Sequence, residues 1–197
     1  IKEVINLSGG KIFSLEVNLC TDEIKKGDSI AINGACQSVI KKEGKILSFE
    51  AMNETLRLTN LAFLTKGDFV NVELEMKLYE RLDGHLVSGH IDRVAKLNSI
   101  KNDGVARIFN FECDTDLIVK KGSIAVNGVS LTVVETDVNN FEVSILPETF
   151  NNTNLKYLKI NDIVNIEYDM VAKYIKKFFE QKKESKITEE FLIENGF

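Results

Sequence analysis

Two short stretches of the chain carry side chains suited to moving protons or holding a polar ring. Ala35-Cys36-Gln37-Ser38 follows an Asn33-Gly34 pair, and Val129-Ser130-Leu131-Thr132 follows an Asn127-Gly128 pair. Alternate residues of a strand share a face, so Cys36 and Ser38 point one way, as do Ser130 and Thr132. Paired thiol and hydroxyl groups after a tight turn suit a polar heterocycle, and they equally suit a solvated outer face. Both histidines lie in a third stretch, Gly84-His85-Leu86-Val87-Ser88-Gly89-His90. Its glycines allow close backbone approach to a ligand, and histidine titrates near neutrality. Asp169 is either a surface charge or a carboxylate that holds a histidine or hydroxyl for proton transfer. Lys120-Lys121 before Gly122, like Lys25-Lys26 before Gly27, reads most simply as a solvated turn.

Strands must position these groups. Ser29-Ile30-Ala31-Ile32 alternates polar and apolar residues and then turns at Asn33-Gly34, a pair whose tolerance of positive φ marks a hairpin. Lys45-Ile46-Leu47-Ser48-Phe49-Glu50 and Asn140-Phe141-Glu142-Val143-Ser144-Ile145 read as following strands. Phe69-Val70-Asn71-Val72-Glu73-Leu74 and Ile163-Val164-Asn165-Ile166-Glu167-Tyr168 are alternating strands too. A short helix is expected over 54–64 and another over 148–158. Compared with itself at an offset of 94, the chain repeats: 17 of the 48 positions 29–76 are identical to their counterparts, where unrelated sequences share about 3. Such a period means two domains, joined by 84–89, and many short strands in each suggest a small closed barrel. Beyond Asp169, apolar residues at i, i+3, i+4 and i+7 predict an amphipathic helix over 171–179. A solvated break is expected at 182–186, then a last short helix capped by Thr188 with Glu189 and Glu190 in its first turn.

Composition narrows the function. The 197 residues hold 25 Lys plus Arg against 30 Asp plus Glu, a net charge of −5 that speaks against nucleic-acid binding. No apolar run approaches the ~18 residues of a membrane span. Cys20, Cys36 and Cys113 form no close pair, which points to a reducing cytoplasm rather than a disulfide framework. No nucleotide-binding glycine loop, metal-ligand spacing or nucleophile elbow occurs. The residues alone support a duplicated β-barrel with a small-molecule site.

The chain resembles riboflavin synthase of the α-chain type, built from two lumazine-binding repeats. The resemblance rests on 27–34, Glu54-Thr55-Leu56-Arg57-Leu58-Thr59-Asn60-Leu61, the 84–90 stretch, 121–133 and Val164-Asn165-Ile166-Glu167-Tyr168-Asp169. It implies an all-β fold of two tandem, duplicated, small closed β-barrels followed by a C-terminal α-helix. The barrels would span 1–85 and 86–172, with a helical oligomerisation segment over 173–197. It further implies a transferase that dismutates two molecules of 6,7-dimethyl-8-ribityllumazine, without cofactor or metal. A homotrimer is implied, with each site between the first barrel of one subunit and the second of a neighbour; association with lumazine synthase is left open. Carried over by position, the first pocket uses Cys36, Gln37 and Ser38, with Glu50, Ala51, Met52, Asn53, Glu54 and Thr55. The second uses Gly89, His90 and Ile91, then Lys121, Ser130, Leu131 and Thr132. Ser144, Ile145, Leu146, Pro147, Glu148 and Thr149 complete it. Ser130, His90, Cys36 and Asp169 are expected to handle protons and place the nucleophile.

Three departures from the family stand out. Cys36-Gln37-Ser38 replaces a usual Cys-Leu-Thr, and Asn127 stands where aspartate is common. The family also opens with a Met-Phe-Thr-Gly-like segment that contributes to the first pocket. Aligning Ile1-Lys2-Glu3-Val4 with Ile91-Asp92-Arg93-Val94 puts the partner of Gly89-His90 just ahead of residue 1. The alternatives are a non-catalytic lumazine- or flavin-binding antenna protein of the same fold and an oligonucleotide-binding barrel. Antenna relatives tend to lose the Gly-His motif and the helix; the second would want a basic, aromatic-rich groove.

Overall fold

A computed structural model describes residues 1–18, 22–77, 84–184 and 193, with 181–184 described by their backbone alone. The first copy contributes β1 (Glu3–Leu7), β2 (Gly10–Glu16), β3 (Ser29–Ile32), β4 (Ala35–Glu43), β5 (Ile46–Met52) and β6 (Val72–Leu74). The second contributes β7 (Arg93–Asp103), β8 (Ala106–Glu112), β9 (Ser123–Val126), β10 (Val129–Thr136), β11 (Asn140–Ile145) and β12 (Ile163–Tyr168). Helix α1 (Asn53–Leu58) follows β5, α2 (Pro147–Asn152) follows β11, and α3 (Met170–Glu184) follows β12. The pairings are antiparallel, and both copies use the same strand order.

The all-β expectation with a terminal helix is met, with one amendment to its closed barrels. The second copy closes through β7 and β12, whereas the first is a six-stranded sheet with β1 at one edge and β6 at the other. Hydrogen bonds fix the register of the first residues. Ile1 N donates to Asp68 O at 2.6 Å and Gly67 N to Ile1 O at 3.0 Å. In the second copy Leu97 N donates to Asp162 O at 2.9 Å and Asn161 N to Leu97 O at 2.7 Å. Ile1 therefore takes the seat of Leu97, not that of Ile91 as the sequence alignment had it. Residues 93–96 pair with β12, and among the described residues β6 has no such partner on that side.

Each copy has its own core. Phe13, Leu47 and Phe49 centre the first, Phe109, Phe111 and Phe141 the second, all essentially shielded from water. Strand alternation turns these residues inward, and burial of each such side chain is worth about 2–3 kcal/mol. The helix expected after β5 is one and a half turns of α1 followed by a 3₁₀ turn, Asn60–Phe63; the second copy repeats this with Asn154–Tyr157. The Thr-Asn-Leu identity explains the break. The Thr59 hydroxyl donates to Thr55 O at 2.7 Å and accepts from Leu61 N, and Thr153 does the same with Thr149 and Leu155. Leu61 and Leu155 then enter their cores. Strand β6 is shorter than expected, and α3 is longer. It runs through 182–184, where a break was expected, because lysine and glutamate are good helix formers that need no burial. The proposed cap at Thr188, with Glu189 and Glu190, lies outside the described residues.

The asparagine between them joins the halves. Asn60 N donates to Asn165 Oδ1 at 2.6 Å, and Asn154 N donates to Asn71 Oδ1 at 2.7 Å. Asn60 Nδ2 donates to Asn127 Oδ1 and Asn154 Nδ2 to Asn33 Oδ1, both at 3.1 Å. Asn71 Nδ2 reaches Asn127 O and Asn165 Nδ2 reaches Asn33 O, both at 2.9 Å. These reciprocal pairs define a two-fold relation between the barrels, on which the two Asn-Gly turns abut. A Cβ on Gly34 would meet Gly128 N at 2.7 Å, and the φ of Gly34 is +77°. Gly34→Ala should lower the unfolding free energy by ~2 kcal/mol or more in urea titration, combining left-handed strain with a backbone clash. A loss under about 0.5 kcal/mol would mean the turns do not touch.

Candidate active site

Sheet register sets one row of side chains on the outer face of each copy. In the first, Glu73 on β6 pairs with Ala31 on β3, which pairs with Cys36 on β4. In the second, Glu167 pairs with Ala125, which pairs with Ser130. Cys36 and Ser38 are exposed while Gln37 turns inward; Ser130 is half-buried, Thr132 exposed and Leu131 inward. The shared-face reading of the sequence thus describes the outer face of each hairpin.

The segment joining the copies lies over these rows. His85 Nδ1 sits 2.7 Å from Ser130 Oγ. A Cβ on Gly84 would meet Ser130 Oγ at 2.6 Å, so only glycine lets the chain pass so close. At the other end, Cys36 N donates to Gly89 O at 2.9 Å. A Cβ on Gly89 would meet Cys36 Cβ at 2.8 Å. Between them, Glu167, only 3% exposed, accepts from Ser88 N at 2.6 Å, Ser88 Oγ at 2.7 Å and Gly89 N at 3.1 Å. One segment therefore touches both the Cys36 and Ser130 positions.

Burial pushes the His85 imidazole below its ordinary value near 6.5, against the opposing pull of Asp169 and Glu167. A neutral imidazole at 2.7 Å from a hydroxyl can take its proton or orient it toward a bound molecule. The other ring nitrogen, Nε2, is buried with no hydrogen-bond partner among the described residues. Asp169 caps α3, its Oδ1 accepting from Val171 N at 2.9 Å.

The remaining candidates scatter. His90 is exposed and makes no hydrogen bond among the described residues. Ile91 packs against the core of the first barrel rather than the second. Lys121 is an exposed turn residue with φ of +65°, its N–H held by Val133 O at 2.8 Å. Ala51 and Ile145 point into their cores. Glu50, Met52, Asn53 and Glu54 are exposed with Thr55 half-buried, and Leu146, Pro147 and Glu148 are exposed with Ser144 and Thr149 half-buried. These two strand-to-helix corners flank the rows. Sequence reasoning passed over His85 in favour of His90 and assigned Glu167 no role. The signal for the second was the Glu73–Glu167 identity, which strand alternation places on the face of Cys36 and Ser130.

The description "Lumazine binding domain" fits the chain twice, over residues 2–75 and 88–169. Riboflavin synthase of Actinobacillus pleuropneumoniae is 37% identical over 193 residues, 94% of this chain and 90% of that protein. That of Bacillus subtilis (strain 168) is 38% identical over 183 residues, 89% of this chain and 85% of its own length. The chain belongs to the riboflavin synthase family. Family membership extends to the Escherichia coli (strain K12) riboflavin synthase, 40% identical over 152 residues, 75% of this chain and 71% of that one. The crystal structure of LumP complexed with riboflavin shares the fold at a TM-score of 0.79 and 22% identity, covering 85% of this chain and 93% of that one.

His85→Ala and Ser130→Ala should each lower kcat by about 10²-fold, the double variant falling little further because the two act as a unit. The folded imidazole resists protonation, so unfolding free energy should fall as pH drops below about 6.5, where the unfolded histidine binds a proton. Urea titrations across pH should show that slope reduced in His85→Ala; an unchanged slope would assign it elsewhere.

Proposed function

We propose that the chain dismutates 6,7-dimethyl-8-ribityllumazine. One molecule passes a four-carbon unit to a second, giving riboflavin and 5-amino-6-(D-ribitylamino)uracil, the last step of riboflavin biosynthesis. The observation that carries this reading is the His85–Ser130 pair over the second barrel, facing the same segment that touches Cys36 of the first. A reaction between two like molecules needs two like pockets, and duplication supplies them. Holding both rings together removes an encounter cost of up to about 7–11 kcal/mol. Divergence of Cys36 from Ser130 and of Gln37 from Leu131 gives the pockets unequal chemistry, as donor and acceptor require. In this reading Ser130 with His85 places a nucleophile beside the ring methyl that loses a proton, and Cys36, His90 and Asp169 shape the surrounding site.

The domain boundaries at 85 and 172 and a homotrimer built on 173–197 belong to the same proposal. Val171, Tyr174, Ile175 and Phe178 form one stripe of α3, and each is more than half exposed. A stripe of that kind is satisfied by like helices from other subunits. Free thiols at Cys36 and Cys113 suit a cytoplasmic site of action, where association with lumazine synthase would feed the substrate.

Mixing the protein with 6,7-dimethyl-8-ribityllumazine should generate flavin absorbance; tight binding without flavin would assign it to the antenna class instead. In sedimentation, Ile175→Asp should convert a trimer to smaller species and lose most activity. Full activity in a monomeric variant would remove the shared site.

A further inference from the structure

The carboxylate of Glu167, only 3% exposed, accepts three hydrogen bonds, and what it engages is the joining segment. A carboxylate offers two acceptor oxygens and no donor. It suits what stands here: two successive backbone N–H groups, of Ser88 and Gly89, and the Ser88 hydroxyl, at 2.6, 3.1 and 2.7 Å. Ala125, between Glu167 and Ser130 in the row, is the floor beneath, and at 1% exposure it is covered. The first barrel carries the same row, Glu73, Ala31 and Cys36. Glu73 has no hydrogen-bond partner among the described residues, Ala31 is half-buried, and Cys36 is exposed. Both copies keep the acid, and in the second it holds the strap.

We propose that Glu167 is a positioning residue for the reaction: by clamping Ser88 and Gly89 it fixes one end of the strap on Cys36 and the other with His85 on Ser130. The inference rests on the function proposed above. Between His85 and Ser88 the strap has only two intervening residues, so a shift of the clamp is transmitted to the imidazole with little slack. A carboxamide at 167 keeps one acceptor and turns a donor toward the Gly89 N–H, which breaks the grip without changing side-chain volume.

Three measurements on the full chain with 6,7-dimethyl-8-ribityllumazine test this. Glu167→Gln should lower kcat by about 10²-fold with KM within about threefold, as expected for a misplacement near 1 Å. The acid limb of its kcat profile should move up toward the ordinary histidine range near 6.5, as the imidazole leaves Ser130. Amide hydrogen exchange should quicken at least about tenfold in the peptide containing Ser88 and Gly89, with the barrel strands β8 and β11 unchanged. A variant with wild-type kcat, an unmoved acid limb or an undisturbed strap overturns the assignment. Should Glu167→Gln fail to fold, Ser88→Ala removes the hydroxyl donor alone and should move kcat and the acid limb the same way by a smaller factor; no change in either overturns it equally. A wild-type protein that makes no riboflavin would instead overturn the proposed function, whatever the variants do.

Discussion

On the axis between the barrels, the side chains of Asn33, Asn60 and Asn71 interlock with those of Asn127, Asn154 and Asn165, and the two Asn-Gly turns meet backbone to backbone. Buried amides add little net stability when bonded and cost about 1–3 kcal/mol each when left unpaired. Such a network therefore selects one orientation more than it strengthens it: a small rotation of one barrel would orphan several amides at once. The strap needs that fixed orientation. It touches Cys36 of one barrel and Ser130 of the other, and both contacts are too close to tolerate even a Cβ on the intervening glycines. Without a rigid joint, no single segment could satisfy both.

Fixed in this way, two nearly identical sheets become chemically unequal. Their strand order, Thr-Asn-Leu turns and Asn-Gly hairpins agree, so inequality arises from the side chains of the outer row. One row carries an imidazole, a hydroxyl and a clamped carboxylate under a strap; the other carries the Cys36 thiol and the Glu73 carboxyl. A protein that joins two copies of one molecule needs this combination of like shape and unlike chemistry.

Much of the fold was legible before any coordinates. The hairpins at Asn33-Gly34 and Asn127-Gly128, the strand at 140–145 and the amphipathic start of α3 follow from local patterns, and the duplication follows from identity at one offset. Identity misled in one respect. Residues kept in both copies read as turn formers or ligand-facing groups, yet Asn33 and Asn127 are each only 1% exposed and serve the joint. A pairwise contact between halves leaves no local periodicity, so its members look like ordinary turn residues. His85 was overlooked for the converse reason: its partner, Ser130, is 45 residues away, and nothing in the spacing of 84–90 says which histidine the strap turns inward. The register of Ile1 was likewise hidden, because short alternating strands align nearly as well when slipped.

The helix completes the logic by being tied to the same place. Asp169 caps α3, Lys173 Nζ reaches Asp92 Oδ2 at 2.5 Å, and Lys176 approaches Asp116 at 3.4 Å. Asp92 Oδ2 also accepts from Tyr168 N at 2.8 Å, and it stands three residues beyond Gly89. Ion pairs this exposed contribute little energy. They do set direction, holding the polar side of α3 on its own barrel and leaving the apolar stripe outward. Since one aspartate anchors both the root of the helix and the chain leaving the strap, whatever packs against that stripe bears on the geometry around Cys36 and Ser130. The root of the helix and the chain leaving the strap therefore meet at Asp92, within a few residues of the clamp.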